Sequence, residues 1–236
     1  MKVLVVGASG TIGARVVKSL AKGHQVTVIV RHEHLVERFE KLGVKAHYVD
    51  IETELEKVIE HGVAGQDAVI CAATAGVDGE ATEIELLDRT VALKTIDAAK
   101  KARVRHFVLL SAYGADRPEQ FKKDVYPFYA AKNAAEEQIE HSGLTYTIIC
   151  PVAITTGEGR GLIEADEDLK DTKDATISET DVASILVASV DNRSVFNRRL
   201  EVKEGKTSLN EALGGAEAVG SVKDNRQVKK QLPRFN

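Results

Sequence analysis

Glycines 7, 10 and 13 stand between two stretches whose apolar residues keep different periods, and this junction limits the possible folds most severely. Before it, Val3, Leu4, Val5 and Val6 form an unbroken, mostly β-branched run, the pattern of a strand buried on both faces. After it, Ile12, Val16, Val17 and Leu20 recur at helical spacing. A strand, a glycine turn and a helix opening at that turn aim backbone N–H groups at one point, backed by the positive end of the helix dipole. Such a point binds anions. The stretch Gly7, Ser9, Gly10, Thr11, Ile12 and Gly13 is therefore expected to cradle a dinucleotide pyrophosphate.

Further apolar runs at 25–30, 44–49, 67–72, 105–110 and 145–150 alternate with helical patterns at 33–42, 52–61, 83–102 and 128–142. The alternation predicts an α/β fold over residues 1–213: a single Rossmann-type domain with a doubly wound parallel sheet in three αβα layers. Residues 154–176, rich in Gly and acidic side chains, are expected to form a loop. A helix at 182–190 capped by Thr180 or Asp181, a strand at 196–202 and a short helix at 208–213 are expected to follow. Residues 214–236 are polar and read as a mobile, solvated tail.

A net charge of −4 offers no electrostatic case for nucleic acid as a partner. No apolar run is long enough to span a membrane, and the N-terminal run is too short for a signal peptide, so a cytoplasmic protein is expected. Cys71 and Cys150 follow apolar runs outside any metal-ligand spacing and are expected to be free, buried thiols. The seven histidines are scattered, and no metal site is expected. A small-molecule substrate is the expected partner, and both a monomer and a homodimer are compatible with the sequence.

Arg31 directly follows the second strand, where a dinucleotide-binding fold meets the adenosine ribose. A carboxylate there would accept from the ribose hydroxyls, whereas arginine offers a fork of donors to a 2′-phosphate, so NADP(H) is expected over NAD(H). Asp50, with Ile51 behind it, is placed either to accept from the adenine amino group or to cap the helix at 52–61. Ala72, Ala73 and Thr74 follow the fourth strand, where small residues let the backbone approach the ribose and pyrophosphate.

The segments Gly7-Ala-Ser-Gly-Thr-Ile-Gly13, Val30-Arg31, Ala64-Gly-Gln-Asp-Ala-Val-Ile70, Leu110-Ser-Ala-Tyr-Gly-Ala-Asp116, Tyr129-Ala-Ala-Lys132-Asn-Ala-Ala-Glu136 and Ser142-Gly-Leu-Thr-Tyr-Thr-Ile-Ile149, in this order, resemble the atypical short-chain dehydrogenase/reductase superfamily. The nearest branch is the single-domain NAD(P)H-binding group with flavin/biliverdin reductase-like and NmrA-like members. The resemblance implies that Ser111 polarises a substrate carbonyl and that Lys132 holds the nicotinamide ribose. It also implies that Pro151 and Val152 line the nicotinamide pocket. Two positions depart from the pattern. The residue four before Lys132, where the superfamily has a proton-donating tyrosine, is Phe128. Tyr129 shares its helical face with Lys132 and is the nearest substitute, with Tyr113 and Tyr126 as other phenols. The arginine common before the proline is Cys150 here. These readings imply an NADP(H)-dependent oxidoreductase with a small or flat organic acceptor of quinone, flavin or carbonyl type. A non-catalytic NADP(H)-sensing module is the alternative. A sugar-nucleotide epimerase or dehydratase is disfavoured.

Overall fold

The computed structural model describes residues 1–49 and 55–214. Asp50, Ile51 and the tail from residue 215 lie outside the described residues. The first strand, β1 (Lys2–Val6), pairs in parallel with β2 (Gln25–Val30) on one side and β4 (Ala68–Cys71) on the other. Its side chains alternate between two hydrophobic cores: Val3 and Val5 point into one, Leu4 and Val6 into the other. Period-two alternation with both faces apolar produces a central strand covered by helices above and below.

The sheet continues with β3 (Lys45–Tyr48) beyond β2, and with β5 (His106–Leu110), β6 (Tyr146–Pro151) and β10 (Arg198–Glu204) beyond β4. All seven of these strands are parallel. Helices α1 (Thr11–Leu20) and α7 (Glu179–Ser189) pack on one face of the sheet. Helices α3 (Leu55–Val63), α5 (Ala92–Lys101) and α6 (Tyr126–Glu140) cover the other. A short α2 (His34–Glu40) joins β2 to β3. The strand order reverses between β1 and β4, so their carboxyl ends open onto a crevice, the usual ligand site of such sheets.

Three expectations are corrected. Residues 154–176 are not one loop: they contain β8 (Leu162–Asp166), which pairs antiparallel with β10 and with the short β11 (Thr207–Ser208). They also hold half of a small parallel pair, β7 (Ala153–Thr155) with β9 (Thr176–Ser178). Helix α7 is capped by Ser178, whose hydroxyl accepts from the Asp181 amide at 2.9 Å. Asp181 turns the other way and accepts from the Gly161 amide at 3.0 Å. The helix expected at 83–102 is α4 (Ala81–Glu83), a π-helical segment (Ile84–Val91) and α5 in sequence. A short α8 (Leu209–Ala212) closes the described chain.

Cys71 and Cys150 are free and buried, on strands separated by β5. Burial pushes the Cys71 thiol up to about 11, so neither an easy disulfide nor a reactive thiolate is available there. No helix among the described residues is long and apolar enough to cross a membrane.

His106, on β5, is almost fully buried, with Nδ1 3.0 Å from the Val190 carbonyl and Nε2 3.0 Å from the Thr147 hydroxyl. Burial pushes its pKa below 6.5, although the Val190 carbonyl pulls the other way. A depressed folded-state pKa means that the unfolded chain takes up the proton first on acidification. His106 therefore contributes stability above about pH 6.5, and that contribution is lost as the pH falls below it. The stability gap between wild type and His106→Gln in urea unfolding should shrink from pH 7.5 to pH 5.5; a gap that does not change with pH would contradict this.

Candidate active site

The glycine turn is built by backbone touching backbone. Gly7 adopts φ +90°, and a Cβ there would lie 2.4 Å from the Ala73 nitrogen, so only glycine fits between β1 and the end of β4. A Cβ on Gly13 would meet the Gly7 carbonyl oxygen at 2.1 Å. Gly10 is different: a Cβ there would find nothing closer than 3.6 Å, and its φ of −75° suits any residue. No crowding by the protein calls for glycine at 10. The space it leaves lies over the start of α1, where Gly10 offers no side-chain cap. Helix geometry leaves the first-turn amides without intrahelical acceptors. A cradle that a Cβ would begin to fill, lined with unclaimed donors, fits a pyrophosphate.

Two cavities meet above this turn. One, of about 430 Å³, runs from Ser9, Thr11 and Gly13 past Ala72 to Arg31 and His32. The other, of about 620 Å³, is bordered by Ser111, Tyr113, Phe128, Tyr129, Lys132 and Val152. Ile12, Thr74, Ala75, Gly76 and Leu110 line both, so the two form one trough across the carboxyl ends of β1, β4, β5 and β6. The expected cofactor residues within the described chain therefore fall along it, Pro151 at the wall of the larger cavity. Arg31 stands at the far end of the smaller one, where its guanidinium lies 3.7 Å from the Glu83 carboxylate.

Lys132 lines the larger cavity in buried, charged company. Its Nζ lies 2.9 Å from Asp88 Oδ1, donates to the Leu110 carbonyl at 3.2 Å, and sits 5.6 Å above the Phe128 ring. Both charged side chains are buried. Asp88 also accepts from the Thr74 hydroxyl at 2.6 Å and the Ala75 amide at 2.8 Å. One carboxylate thus ties the lysine to the loop shared by the two cavities. Asp88 was missed by sequence reading. Its signal was an acidic residue four positions after Ile84, on the same apolar face as Leu87 and Val91.

Tyr129 lines the larger cavity with its ring stacked on Phe121, centroids 3.5 Å apart, and edge-on to Phe128. Burial raises its pKa, the opposite of the lowering that a lysine partner brings in the superfamily. Tyr113 also lines the cavity, and its phenol oxygen accepts from the Thr172 hydroxyl at 3.0 Å. Tyr126 is exposed outside it.

Ser111 donates its hydroxyl proton to Glu136, a second buried carboxylate that sequence reading left without a role. Burial raises the Glu136 pKa, against the pull of Arg199 and of Ser111 itself. Arg199 Nε donates to Glu136 at 2.9 Å, and its other nitrogens reach Glu201 at 3.0 Å and Asp116 at 2.9 Å. The guanidinium near Cys150 comes from the neighbouring strand: Glu201 of β10 pairs in register with Cys150 of β6, and Arg199 lies two residues before it.

The model of the NAD(P)H-binding family matches residues 7–193. The chain is 34% identical over 215 residues to the uncharacterized sugar epimerase YhfK of Bacillus subtilis, covering 90% of this chain and 99% of that one. It is 31% identical to the divinyl chlorophyllide a 8-vinyl-reductase of Arabidopsis thaliana over 86% of this chain and 53% of that one. Among solved structures it is similar to a putative NAD-dependent epimerase/dehydratase from Bacillus halodurans. There the TM-score is 0.82 at 29% identity, covering 90% of this chain and 98% of that one.

The glycines make separable claims. Gly13→Ala should lower the melting temperature by several degrees, because a backbone oxygen must move. Gly10→Ala should melt near wild type yet bind NADPH at least about tenfold more weakly, about 1.4 kcal/mol. Calorimetric melting and titration check both; a Gly10→Ala protein that binds normally would refute the cradle.

Proposed function

The chain belongs to the NAD(P)H-binding family, and from that premise we propose that it is an NADP(H)-dependent reductase that serves a small or flat organic acceptor. The observation that carries this reading is the continuous trough, with an anion cradle in the middle, an arginine at one end and Lys132 with Ser111 at the other. Bound along it, the cofactor would supply a hydride from its nicotinamide ring. The chain's own residues bind, orient and exclude water. The amides at the start of α1 hold the pyrophosphate, and Arg31 leaves Glu83 for the 2′-phosphate. Lys132 gives its remaining N–H to the nicotinamide ribose. Pro151 and Val152 close the nicotinamide side against solvent.

Proton supply separates this site from the superfamily pattern. Phe128 has no proton to give, and the Ser111 proton is engaged by Glu136. Tyr129 and Tyr113 are the phenols on the cavity wall, with solvent through its mouth as the remaining source. The same facts favour a second reading, an NADP(H)-binding module that reports cofactor redox state to a protein partner. An epimerase reading has less support, because residues after Pro151 extend the same sheet through β8, β10 and β11.

Steady oxidation of NADPH by at least one member of a panel of quinones, flavins and aldehydes is expected; tight NADPH binding with no turnover on any of them would favour the sensing module. Arg31→Ala should weaken NADPH binding at least about tenfold while leaving NADH within about twofold. Equal losses, measured by titration, would refute the 2′-phosphate role. Tyr129→Phe should lower turnover if that phenol delivers the proton; an unchanged rate with a lowered one in Tyr113→Phe would move the role to Tyr113.

A further inference from the structure

The larger cavity has an unusual charge balance for a substrate site. Among the described residues its lining carries three charged side chains, Lys132, Asp78 and Asp174. Lys132 brings no free positive charge, because Asp88 lies 2.9 Å from it and both side chains are at most 4% exposed. Asp78 and Asp174 are exposed. A carboxylate or phosphate entering here would lose its water and find no unmatched cation, with two carboxylates on the lining.

Most of the remaining lining is apolar. Phe128 and Val152 are buried, and Tyr129 is held flat by its stack on Phe121. Val77 and Ile154 are large apolar side chains left 38% and 44% exposed on the cavity lining. Solvent-facing apolar residues on a concave lining mark a surface completed by an apolar ligand. Polar hooks are few: the Ser111 oxygen and the Tyr113 and Tyr129 phenols, since the Thr74 hydroxyl is taken by Asp88 and that of Thr172 by Tyr113. They suffice for one or two oxygens of a neutral molecule.

We infer that this cavity selects an uncharged, flat, largely apolar acceptor of the quinone class and rejects acidic and phosphorylated ones, sugar nucleotides included. The inference rests on the reading that the acceptor occupies the cavity beside Lys132. Its physical cause is the internal pairing of Lys132 with Asp88, which uses up the positive charge on the lining.

Binding tests the charge rule without requiring turnover. The protein loaded with 1,4,5,6-tetrahydro-NADP, whose ring is uncharged like that of NADPH but cannot give a hydride, is titrated by calorimetry with 1,4-naphthoquinone, with its 2-sulfonate, and with UDP-glucose. The neutral quinone should bind at least about tenfold more tightly than the sulfonate, and UDP-glucose should not compete with it. Sulfonate binding as tight as quinone binding, or competition by UDP-glucose, would overturn the inference. Asp88→Asn releases the lysine charge and should narrow the quinone-to-sulfonate ratio several-fold. If that variant does not fold, Asp78→Asn with Asp174→Asn, both at exposed positions, should narrow it too; an unchanged ratio in the variant measured contradicts the charge rule. NADPH oxidation is followed separately. Preferential quinone binding without turnover would defeat the reductase reading and leave the charge selection standing.

Discussion

Two backbone approaches support everything above the sheet: Gly7 against Ala72 and Ala73, and Gly13 against Gly7. They let β1, β4 and α1 meet without side chains between them, which sets the helix start at the carboxyl edge of the sheet. Strand order reverses at that same edge, so the opening crevice and the helix amides coincide. The trough is a consequence of these contacts. Its floor is backbone and small side chains, and its chemistry comes from residues that reach in from β5, α6 and the π-helical segment.

Beside the larger cavity, buried charge is arranged in closed groups. Lys132 is answered by Asp88, and Glu136 by Arg199, whose remaining donors go to Glu201 and Asp116. Ion pairs inside a protein are costly to desolvate, and breaking one side of such a pair costs more than the pair returns. Their value here is geometric. Asp88 fixes a loop that borders both cavities, and Glu136 fixes the orientation of Ser111. The wider π turn around Asp88 suits this, since such segments gather at functional sites.

The parallel half of the sheet was legible because buried strands are continuous apolar runs, and the glycine turn because its residues have few alternatives. The antiparallel edge was not. In β8 only Ile163 is fully buried among Leu162–Asp166, so acidic residues on its open face disguise a strand as a loop. The cap of α7 was misplaced because Ser178, Thr180 and Asp181 all suit the position, and only the contact of Asp181 with the Gly161 amide decides between them. At the site, Lys132 and Ser111 could be read from the order of the blocks. Their partners were harder to read: Asp88 lies far from Lys132 in sequence and shows only as an acidic residue on an apolar helix face, and Glu136 lies 25 residues from Ser111. Arg199 in particular lies beyond the matched segments and reaches Glu136 only because β10 pairs with β6.

The proposed function requires a single dinucleotide to span the trough with its pyrophosphate on the start of α1 and its nicotinamide beside Lys132. A crystal structure of the protein with NADP⁺ measures this directly. Phosphate oxygens are expected within hydrogen-bond distance of the Thr11, Ile12 and Gly13 amides, with the 2′-phosphate on Arg31 and the nicotinamide ring in the larger cavity. A cofactor bound in the opposite direction, or a pyrophosphate away from the glycine turn, would contradict the proposed function.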